Sequence, residues 1–194
     1  MAGRPKHFEN EELIEKATKV FWKKGFIASS AQDLLKAMEI GQGSFYRSFP
    51  GGKRELYQKS LFQFVENANK QFSKGIEESQ DPIEFLNIFF TRIIEQPKPK
   101  SNNGCYLGNA IVELSNLDEE TKELSVKLLL KLESGFEAAL IKAQNMGKLD
   151  NDKSPKLIAM HLINLWNGLN ITQKMYTDKK ALKSLLKMNL QILN

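Results

Sequence analysis

The stretch at 26–56, FIASSAQDLLKAMEIGQGSFYRSFPGGKREL, constrains this 194-residue chain more than any other. Ser30 followed three residues later by Asp33 is a capping box, which starts a helix by satisfying its first orphan amides. Leu34, Leu35 and Met38 give that helix one apolar face. Glu39-Ile40-Gly41 forms a turn, with Ile40 able to fill the gap between two helices. Gln42 to Phe49 supplies about two turns of a second helix. Phe45 and Phe49 are four apart and share its inner face. Gln42, Ser44, Tyr46, Arg47 and Ser48 must then point elsewhere, as a donor-rich surface with one positive charge that suits a DNA groove. Pro50-Gly51-Gly52 ends the helix. This is the helix-turn-helix pattern, whose second helix enters the major groove. A bland helical hairpin would show the same apolar spacing.

The flanks separate the two readings. Phe21-Trp22-Lys23-Lys24-Gly25-Phe26 comes before, and Gly43-Ser44-Phe45-Tyr46-Arg47-Ser48-Phe49 with Lys53 and Leu56 comes after. From about Arg4 to Tyr57 the chain closely resembles the DNA-binding domain of the TetR/AcrR family of bacterial transcriptional regulators. Gly41 stands where that family usually carries a capping Ser, a change that costs only a few tenths of a kcal/mol. Gly51-Gly52 lengthens the usual turn by about one residue, a variant found in part of the family. The resemblance implies that Tyr46 touches a phosphate and that Gln42 and Ser44 meet base edges, with Gly43, Arg47 and Ser48 beside them. It implies a phosphate contact for Lys53 and further ones for Ser30 and Gln32. Arg4 and Lys6 form a short basic arm of the kind that enters a minor groove.

Charge distribution agrees. Residues 1–60 hold 11 Lys+Arg against 7 Asp+Glu, whereas residues 61–194 hold 17 against 16. The basic excess sits with the helix-turn-helix, as a phosphate-binding surface requires. No apolar run approaches the roughly 18 residues that span a membrane, and the first residues lack the apolar core of a secretory signal. The lone Cys105 excludes an intrachain disulfide framework and fits a cytoplasmic setting. With two histidines and no CxxC pair, no metal site is expected, and no cofactor is implied.

Beyond the pattern, nine helices are predicted and no strand, giving an all-α fold. The first should begin near Asn10, carry Leu13, Ile14, Ala17, Val20 and Phe21 on one stripe, and stop at Gly25. A long helix runs from Lys53 to about Glu78. Asp81-Pro82-Ile83-Glu84 starts the next, whose segment 85–94 is apolar nearly all round and reads as buried. Residues 96–104 form a loop, and a short helix covers 105–117. Asp118 caps a helix ending near Gly147, Ser154-Pro155 starts one reaching about Met175, and Asp178 caps the last, to Leu193. The domain boundary falls at Gly51-Gly52: 1–52 binds DNA, and 53–194 is a helical regulatory domain.

Within the larger part, Leu157, Met160, Leu162, Leu165, Trp166 and Leu169, then Leu182, Leu185, Leu186, Met188, Leu190 and Ile192, make stripes wider than one core face needs, the plain reading being simple burial. The family resemblance implies a homodimer built from the last two helices of each subunit, the natural reader of a palindrome. Phe85, Phe89, Phe136 and Trp166 either fill a core or wall an effector pocket, with Asn109, Asn167 and Asn170 as orienting groups. His161 reads as a core or interface histidine. Gly104-Cys105-Tyr106-Leu107-Gly108-Asn109 is similar to a motif opening helix six in a subset of these regulators, some of which respond to electrophiles. A thiol there has its thiolate stabilised by the helix dipole, while the plainer reading is a small buried hydrophobe.

The expectation is a regulator of transcription, not an enzyme, since no nucleophile–base pair stands at useful spacing. It acts as a repressor that leaves double-stranded operator DNA when a small-molecule effector binds. The alternative keeps the DNA binding and replaces the effector with a protein partner or an architectural role.

Overall fold

The computed structural model describes residues 6–95 and 103–194, with side chains from residue 10 onward. Among these it holds nine α-helices and no strand: α1 (Lys6–Lys24), α2 (Ala31–Met38), α3 (Gln42–Ser48), α4 (Gly52–Glu78), α5 (Pro82–Glu95), α6 (Tyr106–Leu114), α7 (Glu119–Asn145), α8 (Pro155–Met175) and α9 (Lys179–Leu190). A 3-10 turn at Gln191–Leu193 follows α9. The helices sort into two compact units, one of Met1–Ala68 with Tyr106–Leu128, the other of Asn69–Cys105 with Leu129–Asn194. Helices α4 and α7 contribute residues to both. No described helix is long and apolar enough to cross a membrane.

In the first unit, α1 buries Ile14, Ala17 and Phe21. It begins at Lys6 and not near Asn10, because nothing between those positions breaks a helix and Asn10 is only an optional cap. Lys6 is therefore the first residue of α1 and not part of a preceding arm; its side chain lies outside the described residues, as does Arg4 altogether. Gly25 ends α1 with φ +83°, its N–H donating to Phe21 O at 2.7 Å, a left-handed cap that suits glycine. Ser30 and Asp33 form the expected capping box: Asp33 N–H donates to Ser30 Oγ at 3.1 Å and Ser30 N–H to Asp33 Oδ2 at 3.0 Å. Leu34 and Met38 of α2 are buried, as are Phe45 and Phe49. Leu56, Tyr57, Leu61 and Val65 of α4, Tyr106, Leu107, Ala110 and Leu114 of α6 and Leu128 of α7 are the unit's other buried apolar residues. The Tyr106 hydroxyl is hydrogen-bonded to Ser60 Oγ at 2.7 Å, which satisfies two buried polar groups at once.

Helix α6 is shorter than the expected 105–117. The N–H groups of Leu117 and Asp118 both return to Leu114 O, at 3.0 and 3.1 Å, and so close the helix early. Asp118 is then freed to cap α7, its Oδ1 accepting from Thr121 N–H at 3.1 Å.

The second unit has one continuous core. Leu86, Phe90 and Ile94 of α5 meet Phe136 and Leu140 of α7, Leu162 and Leu169 of α8, and Leu182, Leu186 and Leu190 of α9. Asp81 Oδ1 caps α5 by accepting from Ile83 and Glu84 N–H at 3.0 and 3.1 Å. The expectation that α5 is buried all round is corrected, since Ile88 stays 42% exposed and Arg92 faces outward. Gly75 lets α4 and α5 close on each other: a Cβ there would lie 2.5 Å from the Phe85 ring.

Candidate nucleic-acid interface and regulatory site

Helix α3 is only seven residues long, too short to persist alone. Phe45 and Phe49 hold it, at 5% and 0% exposure, with ring centroids 5.7 Å apart. Burying that face turns the others outward. Gln42, Gly43, Tyr46 and Arg47 are exposed, and Ser44 and Ser48 are half-buried. Tyr46, 52% exposed, stands edge-on against the Phe45 ring at 5.1 Å, so its phenol is presented by a fixed aromatic base. Arg47 lies back along the helix, Nε donating to Gly43 O at 3.2 Å and Nη2 to Ser44 Oγ at 3.1 Å. Those two bonds leave part of its five-donor fork for an external acceptor. Gly41 supplies no side-chain acceptor to the first amides of α3.

Between α2 and α3 runs an open groove of about 580 Å³, lined by Gln32, Leu35, Lys36, Ile40, Gln42 and Tyr46 among others. Gln32, Gln42 and Tyr46 thus meet along one surface, and Ile40 forms part of its floor. Lys36 joins them, although sequence reading passed over it; its place on α2 four residues after Gln32 was the available signal. Ser30 is exposed, but its hydroxyl is engaged with Asp33, donating to Oδ2 at 2.7 Å. Lys24, 2.6 Å from Asp33, together with Ser30, holds that carboxyl well below the usual carboxylate range, so the cap stays charged.

Lys53 takes a position that spacing did not reveal. Its ammonium donates to Phe26 O at 2.9 Å and Ser29 O at 3.0 Å, and lies 4.5 Å from the Phe26 ring centroid. One residue on, Arg54 grips Asp118 with two bonds of 2.6 and 2.7 Å and reaches Glu120 at 3.0 Å. Paired in this way, the Asp118 carboxyl is held well below its ordinary range and the Arg54 guanidinium is pushed up.

The residues expected to serve an effector divide between the two units. Phe85, Phe89, Cys105, Phe136, Trp166, Asn167 and Asn170 belong to the second. There Phe89 stacks on Trp166 at 5.6 Å and meets Phe136 edge-on at 5.7 Å, with Phe72 adding edge contacts to Phe85, Phe89 and Phe136. The Trp166 indole N–H donates to Cys105 Sγ at 3.3 Å, and Asn170 Nδ2 donates to Trp166 O at 2.8 Å. Asn167 Oδ1 is buried with no hydrogen-bond partner among the described residues. Tyr106 and Asn109 belong to the first unit. Tyr106 is spent on its core, 2% exposed and packed against Tyr57 and Phe64. His161 Nε2 lies 3.1 Å from Asn189 O, a half-buried tie between α8 and α9. Among the described residues, no group of three or more His, Cys, Asp or Glu side chains gathers as metal ligands would.

Comparison with known proteins fits this arrangement. Residues 13–59 match the family described as bacterial regulatory proteins, tetR family, and residues 82–188 match the tetracyclin repressor-like C-terminal domain. The HTH-type transcriptional repressor DhaR of Mycobacterium sp. (strain GP1) is 30% identical over 177 residues, 91% of this chain and 87% of DhaR. Two solved structures share the fold. The reduced form of E. coli NemR matches with a TM-score of 0.82 at 19% identity, covering 97% of this chain and 96% of its own. A cysteine mutant of the TetR family regulator CifR, complexed with 26-bp double-strand operator DNA, matches with a TM-score of 0.77 at 20% identity, covering 97% and 98%. With both of its parts matched and the helix-turn-helix face exposed, the chain belongs to the TetR family and is a DNA-binding transcriptional regulator.

Proposed function

We propose that this protein is a homodimeric repressor that binds a near-palindromic operator and releases it when a small molecule occupies its larger helical part. The observation that carries the reading is the division of α3, with Phe45 and Phe49 buried and Gln42, Tyr46 and Arg47 outward. Gln42 and Ser44, at the start of the helix, meet base edges. Tyr46 joins Ser30, Gln32 and Lys53 on phosphates, Gly43, Arg47 and Ser48 flank the base contacts, and Arg4 reaches the minor groove with Lys6 beside it at the start of α1. DhaR is named a repressor and CifR is seen on operator DNA, and both likenesses support this assignment. Residues 1–52 act as the DNA-binding part and 53–194 as the regulatory part.

Dimerisation is assigned to α8 and α9. Leu157, Met160, Leu185 and Met188 on these helices, with Ile192 in the 3-10 turn after α9, stay 38–66% exposed, more apolar surface than a monomer leaves uncovered without reason. A two-fold dimer places two α3 helices for half-sites about 34–36 Å apart or a multiple of it.

The effector is assigned to the second unit's aromatic group of Phe85, Phe89, Phe136 and Trp166, with Cys105, Asn167 and Asn170 as its polar members. The unpartnered Asn167 oxygen supports a ligand that donates a hydrogen bond. The 104–109 string supports membership in the subset of TetR/AcrR regulators with a cysteine at this place, where an electrophile can serve as effector. Release requires the effector to favour the geometry that does not fit DNA.

The test is selection of bound fragments from the source genome by the full chain. Recovery of one near-palindromic sequence is expected, and the genes beside it narrow the effector. Fragments sharing no sequence would overturn the reading.

A further inference from the structure

Two consecutive amides after α1 converge on one carboxylate. Phe26 N–H donates to Glu113 Oε2 at 2.9 Å and Ile27 N–H to Glu113 Oε1 at 2.8 Å. Glu113 lies on α6, remote in sequence but in the same compact unit. Gly25 leaves the room for it: a Cβ there would come within 2.8 Å of Glu113 Oε1.

This pairing runs against the local field. A helix C-terminus carries partial negative charge, which disfavours an anion beside it. The carboxylate is therefore not there to serve the dipole of α1. Two charge-assisted bonds from the loop amides hold it, and the Lys53 ammonium on Phe26 O and Ser29 O supplies a compensating charge on the other edge of the same loop. The loop is gripped on both edges, amides by Glu113 and carbonyls by Lys53. The residue that follows it, Ser30, is the cap of α2, and α3 leaves α2 through the short turn at 39–41. The loop thus sets the direction in which both helices depart.

We propose that Glu113 is a positioning residue for DNA binding. It touches no DNA. It fixes the loop that aims α2 and α3, and so makes the pose of the recognition surface depend on where α6 lies. The end of α6 is itself anchored nearby, because Asp118, four residues after its last residue, is clamped by Arg54 at the first turn of α4.

The experiment compares the native full chain with Glu113→Gln, which keeps size but replaces one acceptor oxygen with a donor facing an N–H. The probes are the duplex that the native chain selects from a random-sequence library and a scrambled duplex of equal length, at one salt concentration. Amide exchange at Phe26 and Ile27 and helical content by circular dichroism are read in parallel. The expected result is faster exchange at those two amides, unchanged helical content, and operator affinity reduced by about tenfold or more, as for the loss of a base contact, with scrambled-duplex affinity changed less than about twofold. Equal loss on both duplexes, or operator affinity within about twofold of native, overturns the proposal. If Glu113→Gln loses helicity, the comparison passes to Glu113→Asp, which keeps the charge and withdraws it by one methylene. The same affinity changes on the two duplexes then support or overturn the proposal.

Discussion

The Lys53 ammonium sits 2.9 Å from Phe26 O and 4.5 Å from the centroid of the same residue's ring, so one side chain is tied to both the backbone and the face of another. With Ser29 O as a second acceptor, two of its three donors are used and one remains for a phosphate. Lys53→Ala should therefore have two effects. Thermal or urea unfolding should show a loss of about 1–3 kcal/mol, the range for stranded hydrogen-bonding groups. Binding should weaken alike on operator and scrambled DNA, with the salt slope reduced by about one. A change in sequence preference would instead place Lys53 at a base.

Tyr46→Ala and Arg47→Ala remove exposed groups from α3 and leave its buried anchors untouched. Each should weaken operator binding by at least about tenfold while the melting temperature changes little, as expected for surface substitutions. Gel-shift titration beside a thermal melt checks both. A large drop in melting temperature would mean that the side chain supports the fold.

Equilibrium sedimentation of the native chain should give twice its 22.1 kDa mass. Leu157→Glu combined with Met188→Glu, at positions 65% and 66% exposed, puts charges into the proposed interface and should give a folded monomer. That monomer should bind the operator far more weakly, because the two half-sites are no longer linked. A native monomer at micromolar concentration would refute the assignment.

The Asp118 carboxyl is depressed by its Arg54 partner, which fixes the sign of a pH effect. A group with a lowered folded-state pKa adds stability that is complete above its unfolded value of about 3.9 and is lost as pH falls through the folded value. The gap in melting temperature between the native chain and Asp118→Asn should be full at pH 7 and shrink only below about pH 4. A gap that closed between pH 5 and 7 would point to another group.

Cys105 is partly exposed and accepts a hydrogen bond from the Trp166 indole N–H at 3.3 Å. A small maleimide should alkylate it, change tryptophan emission and release operator DNA, and Cys105→Ser should resist all three. Unchanged operator binding in a fully alkylated native chain would leave a reversible, non-covalent effector as the working account.

What the sequence alone determines is set by the range over which each interaction acts. Ser30 with Asp33, Asp81 before Pro82, Asp118, Ser154 and Asp178 act within three residues, so the helix starts they mark are legible in sequence, and each stands where its spacing places it. Phe45 and Phe49, four apart, determined which face of α3 turns inward, and with it the exposure of Tyr46 and Arg47. The tertiary structure decided what depends on residues far apart in the chain. Lys53 meets Phe26 and Ser29, Glu113 meets the amides of Phe26 and Ile27, and Tyr106 is drawn to Ser60, all across loops whose closure no local pattern encodes. Sequence named the charged and aromatic residues that needed partners, and only the packing of α4 and α6 with the first helices chose the partners.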